Sequence, residues 1–382
     1  MTTGRPASAG VPENRLQAAL PKRWYVDDEH WRRERETVLY ESWLCVGRVD
    51  ALGLDEPGRV VVLDVAGESI LLTSDADRTL HGAYNVCRHR GSQIVPLSAD
   101  GRPECRAAQA LRCPYHSWTY DLSGRLLRAP HTEGIDDFDP GEFGLTPVGV
   151  VAWRGFCFVH LTPSSATDLA TDLADFTARL TRYPLESLVV GRRFEYEVHA
   201  NYKVLLENFN ECYHCGPVHP ELTRLVPAFA GGGVGLDWDA GVPHRPDAWT
   251  FTMTGTTTRS PFPDLDANER TRHKGELIYP NLLLSCSADH VTALVLWPTG
   301  VDLTRVTCEL LFAPEETAKG DFDPDDAGEL WDLVNRQDWA VCESVQRGML
   351  SRAYRQGWFA PMEDWSADIR RWLVPRLGEP DG

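Results

Sequence analysis

The spacing of apolar positions changes along the chain, and the changes divide it. Between residues 60 and 161 short β-type runs (60–65, 69–73, 81–86, 117–121, 125–128 and 148–161) are separated by turn residues, among them Ala66-Gly67-Glu68, Asp75-Ala76-Asp77-Arg78 and Leu122-Ser123-Gly124. Gly155 reads as a turn or bulge inside the last run. This hairpin rhythm predicts a small antiparallel β domain. Before it, an acidic start at Asp27 and Asp28 can cap a helix that buries Trp31, Val38 and Trp43. After it, Leu169, Leu173, Phe176 and Leu180 recur at three- and four-residue intervals, the pattern of an amphipathic helix over 166–180. The remainder mixes strands (194–199, 277–285, 290–297, 305–312) with a helical stretch near 201–220 and a final helix over 325–355. Helices segregated against one antiparallel sheet make an α+β domain. The expected order is a flexible tail at 1–20, a β domain with its flanking N-terminal helix at 21–165, and a larger α+β domain at 166–382. The loops at 228–235 and 254–268 are flexible by composition and able to gate a pocket.

Charge narrows the partners. The chain has 38 Lys and Arg against 56 Asp and Glu, a net charge of −18, which argues against a nucleic-acid backbone or an anionic membrane. Residues 1–20 carry no continuous apolar run and no later run approaches bilayer length, so a cytoplasmic protein is expected. Ten cysteines spread over 382 residues point to thiols or metal ligands rather than disulfides.

Two groups of residues then suggest metal chemistry. Cys87-x-His89 and Cys113-x-x-His116 fall at predicted hairpin tips, with Gly91 and Pro114 fitting tight loops. Two thiolates and two neutral imidazoles suit the two irons of a Rieske [2Fe-2S] cluster. They also suit tetrahedral zinc, although a zinc finger orders its ligands as two cysteines followed by two histidines. The second group is Glu211, His214 and His219, in the segment NYKVLLENFNECYHCGPVHP at 201–220. On a helix of about 3.6 residues per turn the three share a face, and two imidazoles with a carboxylate form a facial Fe(II) site. Cys212 and Cys215 read as packing residues, because soft sulfur ligands suit zinc or a cluster better than an iron that activates O₂.

The pair of motifs resembles the Rieske non-haem iron oxygenases, the ring-hydroxylating oxygenase α subunits, and the N-x-K, E-N and E-x-Y-H-x(4)-H-P elements of 201–220 are similar to their catalytic motif. The resemblance implies a Rieske domain at 21–165 and a catalytic non-haem iron domain at 166–382. It implies cluster ligands at Cys87, His89, Cys113 and His116, and iron ligands at His214, His219 and Asp338, with Asp332 as the other candidate for the last. Glu211 then becomes the bridge between the centres, and a carboxylate one turn from a metal-bound histidine also suits the acceptor of its second ring N–H. A separate flavin and iron-sulfur reductase using NAD(P)H is implied as the electron source, O₂ as co-substrate, and a homotrimer in which the cluster of one subunit serves the iron of the next.

Two features depart from the family pattern. The 23 residues between His89 and Cys113 exceed the usual spacing, so 101–110 is expected as a loop beside the cluster. Glu stands at 211, where aromatic-ring dioxygenases of this family have Asp. That Glu, with Y-P-N-L-L-L-S at 279–285 and L-W-P at 296–298, resembles the branch that oxidises quaternary ammonium compounds such as glycine betaine, carnitine and choline. Aromatic faces hold such cations, and Trp238, Trp249, Phe251, Tyr279 and Trp297 are the cage candidates. The expected activity is hydroxylation or oxidative N-demethylation of a methylammonium compound. An aromatic-ring dihydroxylase or O-demethylase is the alternative enzyme, and a non-catalytic Rieske electron carrier is the alternative of another class.

Overall fold

Hairpins follow one another through residues 39–169, which form one of two units in the chain. The computed structural model describes residues 15–97 and 104–378. Seven antiparallel strands run side by side in the order Leu44–Arg48, Phe156–His160, Pro147–Trp153, Leu80–Tyr84, Glu68–Ser74, Arg59–Val65 and Glu104–Ala107. Turn chemistry sets the register. Ala66 and Gly67 both take positive φ (52° and 89°) between paired Val65 and Glu68, the geometry whose twist matches the strands it joins. Gly155 (φ 85°) turns the chain between Trp153 and Phe156, and a Cβ there would meet the buried Arg48 guanidinium at 2.7 Å. A second sheet of Leu111–Arg112, Thr119–Tyr120 and Leu126–Arg128 carries the other metal-type loop. Val60, Val62, Leu71, Trp118, Tyr120 and Leu126 share one core.

The 101–110 stretch is only partly the loop expected. Residues 101–103 lie outside the described residues, and Glu104–Ala107 forms an edge strand, with Glu104 opposite Val62 and Ala107 opposite Arg59. Its side chains are mostly exposed, so no apolar alternation marked it. Backbone pairing to a valine-rich neighbour makes the strand.

The second unit combines residues 15–38 with 170–378. Six antiparallel strands lie in the order Val189–Val198, Leu303–Phe312, His290–Gly300, Leu282–Cys286, Arg272–Ile278 and Val242–Pro243. The predicted strand at 277–285 is two strands, split at Pro280, which has no N–H for a ladder. Leu282–Cys286 is buried throughout, which requires cover on both faces. The helix Asp325–Leu350 packs on the sheet and on the helix Tyr202–Phe209, burying Leu330, Trp331, Val334, Asn335, Cys342, Gln346 and Met349 at helical spacing. It ends at Leu350 rather than 355. The helix expected over 166–180 is two short ones, Leu169–Asp172 and Ala174–Arg179, although all four of its periodic residues are buried.

The N-terminal expectations need correction. Of the tail at 1–20, residues 1–14 lie outside the described residues, and Gln17–Pro21 is a strand paired with Gln356–Phe359. The helix Asp28–Glu34, capped by the Asp27 carboxylate as expected, groups with the second unit and not with the β unit. A buried polar network explains why. Lys203 Nζ donates to both oxygens of Glu34 (3.0 and 2.8 Å), and Tyr202 Oη donates to Glu34 at 2.5 Å. Tyr25 Oη donates to Glu207 at 2.5 Å, and Gln346 joins the backbone of Tyr25 to that of Asn201. Lys203 and Glu34 are fully buried. Lys203→Met leaves the Glu34 charge without its counterion and is expected to cost about 3–5 kcal/mol in urea unfolding. The double variant with Glu34→Leu recovers most of that loss.

Candidate active site

Local backbone breaks, rather than one helix, position the catalytic motif. Asn201 caps the helix Tyr202–Phe209 by accepting from the Lys203 N–H, and the helix stops at Asn210. The chain re-forms as Cys215–Val218 and, after His219, as Pro220–Leu225. Pro220 disfavours a helical residue before it, and His219 sits at φ −120°, ψ 71°. The three-residue interval from Glu211 to His214 therefore works through a capped turn. Glu211 Oε2 accepts the His214 N–H at 3.0 Å while its Oε1 lies 2.5 Å from His214 Nδ1.

The expectation that Asp338 joins the two histidines can be examined by distance. Asp338 Oδ1 lies 3.2 Å from His214 Nε2 and 2.9 Å from His219 Nε2. Each imidazole turns its other nitrogen to an acceptor. His219 Nδ1 is 2.7 Å from Gln337 Oε1, and Gln337 is oriented by donating to Glu221 at 3.2 Å. A carboxylate or amide oxygen can only accept, so both Nδ1 atoms carry a proton, and both Nε2 atoms face Asp338. Separations near 3 Å are the edges of an octahedron with bonds of about 2.1 Å. The donor set fits a divalent cation.

Electrostatics agree. Burial opposes charging His214, but contacts with Asp338, Cys215 and Glu211 outweigh it and hold the imidazole up to about 12. Burial works against the Asp338 carboxylate, yet the two histidines keep it below its usual range. The site thus favours positive charge between its acids. Cys215, read from sequence as packing, places Sγ 3.9 Å from His214 Nε2 and closes a donor group with both histidines. Asp338 is nearer to His214 Nε2, at 3.2 Å, and is a harder ligand. Asp332 is engaged elsewhere, accepting from Tyr196 and Arg336 at 2.8 Å each.

A cavity of about 120 Å³ opens over this group, ample for an organic molecule when one water occupies about 10–15 Å³ on the same measure. The helix Asp325–Leu350 presents Trp331, Val334, Asn335 and Asp338 to it, and the sheet presents His273, Gly275, Leu283 and Ser285 at two-residue spacing. Of the five cage candidates, Trp238 and Phe251 line the cavity, whereas Trp249, Tyr279 and Trp297 do not. Tyr279 instead stacks on Trp372 at 4.9 Å. Sequence reasoning missed Phe229, Trp331, Trp339 and Trp365. Trp331 was within reach, since it lies seven residues, about two helical turns, before Asp338.

The four residues of the other motif meet in the β unit. Cys87 and Cys113 are buried and their thiols touch, while His89 and His116 are exposed with ring centroids 4.6 Å apart. Gly91, at φ 76°, allows the tight loop in which its N–H reaches Cys87 O. His89 stacks on Trp118 at 5.0 Å. Two residues were missed. Tyr120 Oη lies 3.3 Å from Cys87 Sγ, and Asn85 Oδ1 accepts from the N–H groups of Ile94 and Val95. A thiol pair inside and an imidazole pair outside fit a cluster of two irons with one ligand pair each.

Behind the cavity wall, Trp331 Nε1 donates to His290 Nε2 at 3.4 Å. His290 Nδ1 donates to Asp289 at 3.0 Å, and Arg259 donates to the same carboxylate at 2.8 Å. Asp289 and His290 are fully buried. Replacing His290 by Phe strands the Trp331 N–H and one Asp289 contact. The expected result is a loss of about 1–3 kcal/mol in denaturant unfolding with altered tryptophan emission.

Comparison with known proteins covers both halves of the chain. Residues 42–139 match the Rieske [2Fe-2S] domain, and residues 185–379 match the ring hydroxylating alpha subunit (catalytic domain). The chain is 30% identical over 341 residues to the carnitine monooxygenase oxygenase subunit of Acinetobacter pittii, covering 88% of this chain and 86% of that one. It is 28% identical to the glycine betaine monooxygenase oxygenase subunit of Pseudomonas aeruginosa, with 92% and 87% covered. A quaternary ammonium Rieske monooxygenase solved with L-carnitine superposes with a TM-score of 0.72 at 25% identity, over 98% of this chain and 100% of that one. Both halves of the chain, and its length as a whole, therefore place it in one family: it belongs to the Rieske non-haem iron oxygenases, the ring-hydroxylating oxygenase α subunits.

Proposed function

We propose that this chain is the terminal oxygenase of a multicomponent system and hydroxylates a quaternary ammonium compound at an N-methyl carbon, with loss of formaldehyde. The observation that carries the reading is the aromatic cavity directly over the His214, His219 and Asp338 group. Phe229, Trp238, Phe251 and Trp331 supply ring faces, which attract a methylammonium cation without a formal countercharge. The named relatives act on glycine betaine and carnitine.

His214, His219 and Asp338 hold the mononuclear iron in this reading, and Cys87, His89, Cys113 and His116 hold the cluster. Iron at the first site supplies O₂ activation; the cluster supplies single electrons. Glu211 and Gln337 keep the two imidazoles in the tautomer that leaves Nε2 free to bind. The aromatic wall orients the cation and excludes water. His116 is exposed on its loop, accessible to a reductase that draws on NAD(P)H. In a homotrimer, His116 of one copy and Glu211 of the next stand at the two ends of the electron path. No helix among the described residues is long and apolar enough to cross a membrane.

A second reading is oxidation of an aromatic ring, favoured by the mostly apolar lining of the cavity. A surrogate reductase, NADH and O₂ separate the two. Formaldehyde from methylammonium compounds supports the first, whereas a cis-diol from an arene, with no formaldehyde from any methylammonium compound, overturns it. Iron analysis should find about three irons per chain, falling to about two in His219→Ala with the cluster spectrum intact. An electron carrier without catalysis would hold about two from the start. Glu211→Gln should keep both centres and lose about 10–100-fold in turnover; unchanged turnover removes Glu211 from the path.

A further inference from the structure

Trp339 follows Asp338 in the helix Asp325–Leu350 and lines the same cavity as His214 and His219. Its Nε1–H is buried without a hydrogen-bond partner. Its ring also meets that of Tyr196, with centroids 5.9 Å apart, a separation typical of aromatic side chains in contact. Tyr196 stands on Val189–Val198, the edge strand of the six-stranded sheet, against which this helix packs, and it is half-buried. Its Oη donates to Asp332 Oδ1 at 2.8 Å. Asp332, the candidate ligand that the iron group does not use, accepts from Arg336 through its other oxygen at 2.8 Å. Two oxidisable rings and a base thus lead in succession from the cavity toward solvent.

The two rings differ in what they can release. An indole nitrogen can only donate, and with no acceptor beside it Trp339 can lose and regain an electron but not its proton. The Tyr196 hydroxyl has a base within proton-transfer reach. Burial holds Tyr196 above the usual tyrosine range, so it stands as a neutral phenol. Burial also opposes the Asp332 charge, but donation from Arg336 and Tyr196 outweighs it and keeps this carboxylate below its usual range. A phenol that can hand its proton to a carboxylate along an existing hydrogen bond is oxidised more easily than an indole that must keep its own. The gradient therefore runs outward. Trp331, in the same cavity wall, leads inward instead, because its N–H donates to His290, which is fully buried behind it.

We propose that Trp339, Tyr196 and Asp332 form an outlet for oxidising equivalents left at the iron site when O₂ reacts there without substrate. This rests on iron held by His214, His219 and Asp338. In each passage Trp339 gives one electron toward the iron site, Tyr196 returns one electron to Trp339, and the Tyr196 proton moves to Asp332. A one-electron reductant in solution, such as ascorbate, restores the tyrosine as Asp332 returns the proton. Two passages, with two protons from solvent, discharge one oxygen atom as water.

The iron-loaded oxygenase, reduced through a surrogate reductase and given O₂ without substrate, is freeze-quenched for electron paramagnetic resonance and then digested for peptide mass spectrometry. A tyrosyl radical is expected in the unaltered protein. Tyr196→Phe, which removes one oxygen atom away from the iron ligands, should replace it with a tryptophanyl radical and oxidation products on Trp339. The same variant should inactivate severalfold faster without substrate, while turnover coupled to substrate is unchanged. Trp339→Phe should lose both radicals and move oxidation to other residues lining the cavity. Loss of a merely structural tyrosine would shift neither the radical nor the place of oxidation. Absence of an organic radical in protein that carries about three irons per chain and consumes O₂ overturns the inference and leaves the iron reading standing, as does a tyrosyl signal that survives Tyr196→Phe. About two irons per chain with no O₂ consumption overturns both.

Discussion

Two imidazoles fastened by their Nδ1 edges set the chemistry this fold can support. Glu211 and Gln337 take the Nδ1 protons, so the Nε2 atoms of His214 and His219 can only face inward, where Asp338 waits within 3.2 Å of both. Each acceptor is itself held. Glu211 caps the turn that carries His214, and Gln337 is tied to Glu221. A metal ligand left free to rotate would spend its binding energy on ordering. Here that ordering is done by hydrogen bonds outside the site.

The same frame shapes the cavity. Asp338 belongs to a helix whose Trp331, Val334 and Asn335 form one wall, and a sheet whose strand Leu282–Cys286 is buried throughout forms another. One helix therefore carries both the Asp338 carboxylate and this wall of the cavity. Polar chains behind the walls tie them to the core, as Trp331 is tied through His290 and Asp289 to Arg259. The N-terminal helix adds to this foundation because Lys203 and Glu34, both fully buried, neutralise each other beneath the catalytic helix. The cavity combines aromatic side chains with two acids, Glu211 and Asp338, that both engage the histidines.

The cluster loops in the β unit follow a different logic. Their thiols are sheltered under Trp118 and Tyr120 while their imidazoles are exposed. The sulfur atoms are thus kept from water while the histidine edge is open to solvent.

Much of this was legible in the chain alone. The Cys-x-His and Cys-x-x-His loops and the spacing of Glu211, His214 and His219 follow from local pattern, because turns and caps are short-range properties, whereas Asp338 was singled out by the family resemblance. The hairpins at Ala66-Gly67 and Gly155 were readable for the same reason: positive φ favours few residues. What the chain alone did not determine depends on long-range pairing. Glu104–Ala107 is a strand only because a neighbour offers its backbone, and residues 15–38 join the second unit only through partners more than 160 residues away. The cavity wall is of the same kind. Five aromatics were candidates by composition, but only tertiary packing decided that Trp238 and Phe251 face the ligand while Tyr279 stacks on Trp372. An aromatic side chain looks the same in sequence whether it fills a core or lines a site, and the difference lies in which neighbours the fold brings to it.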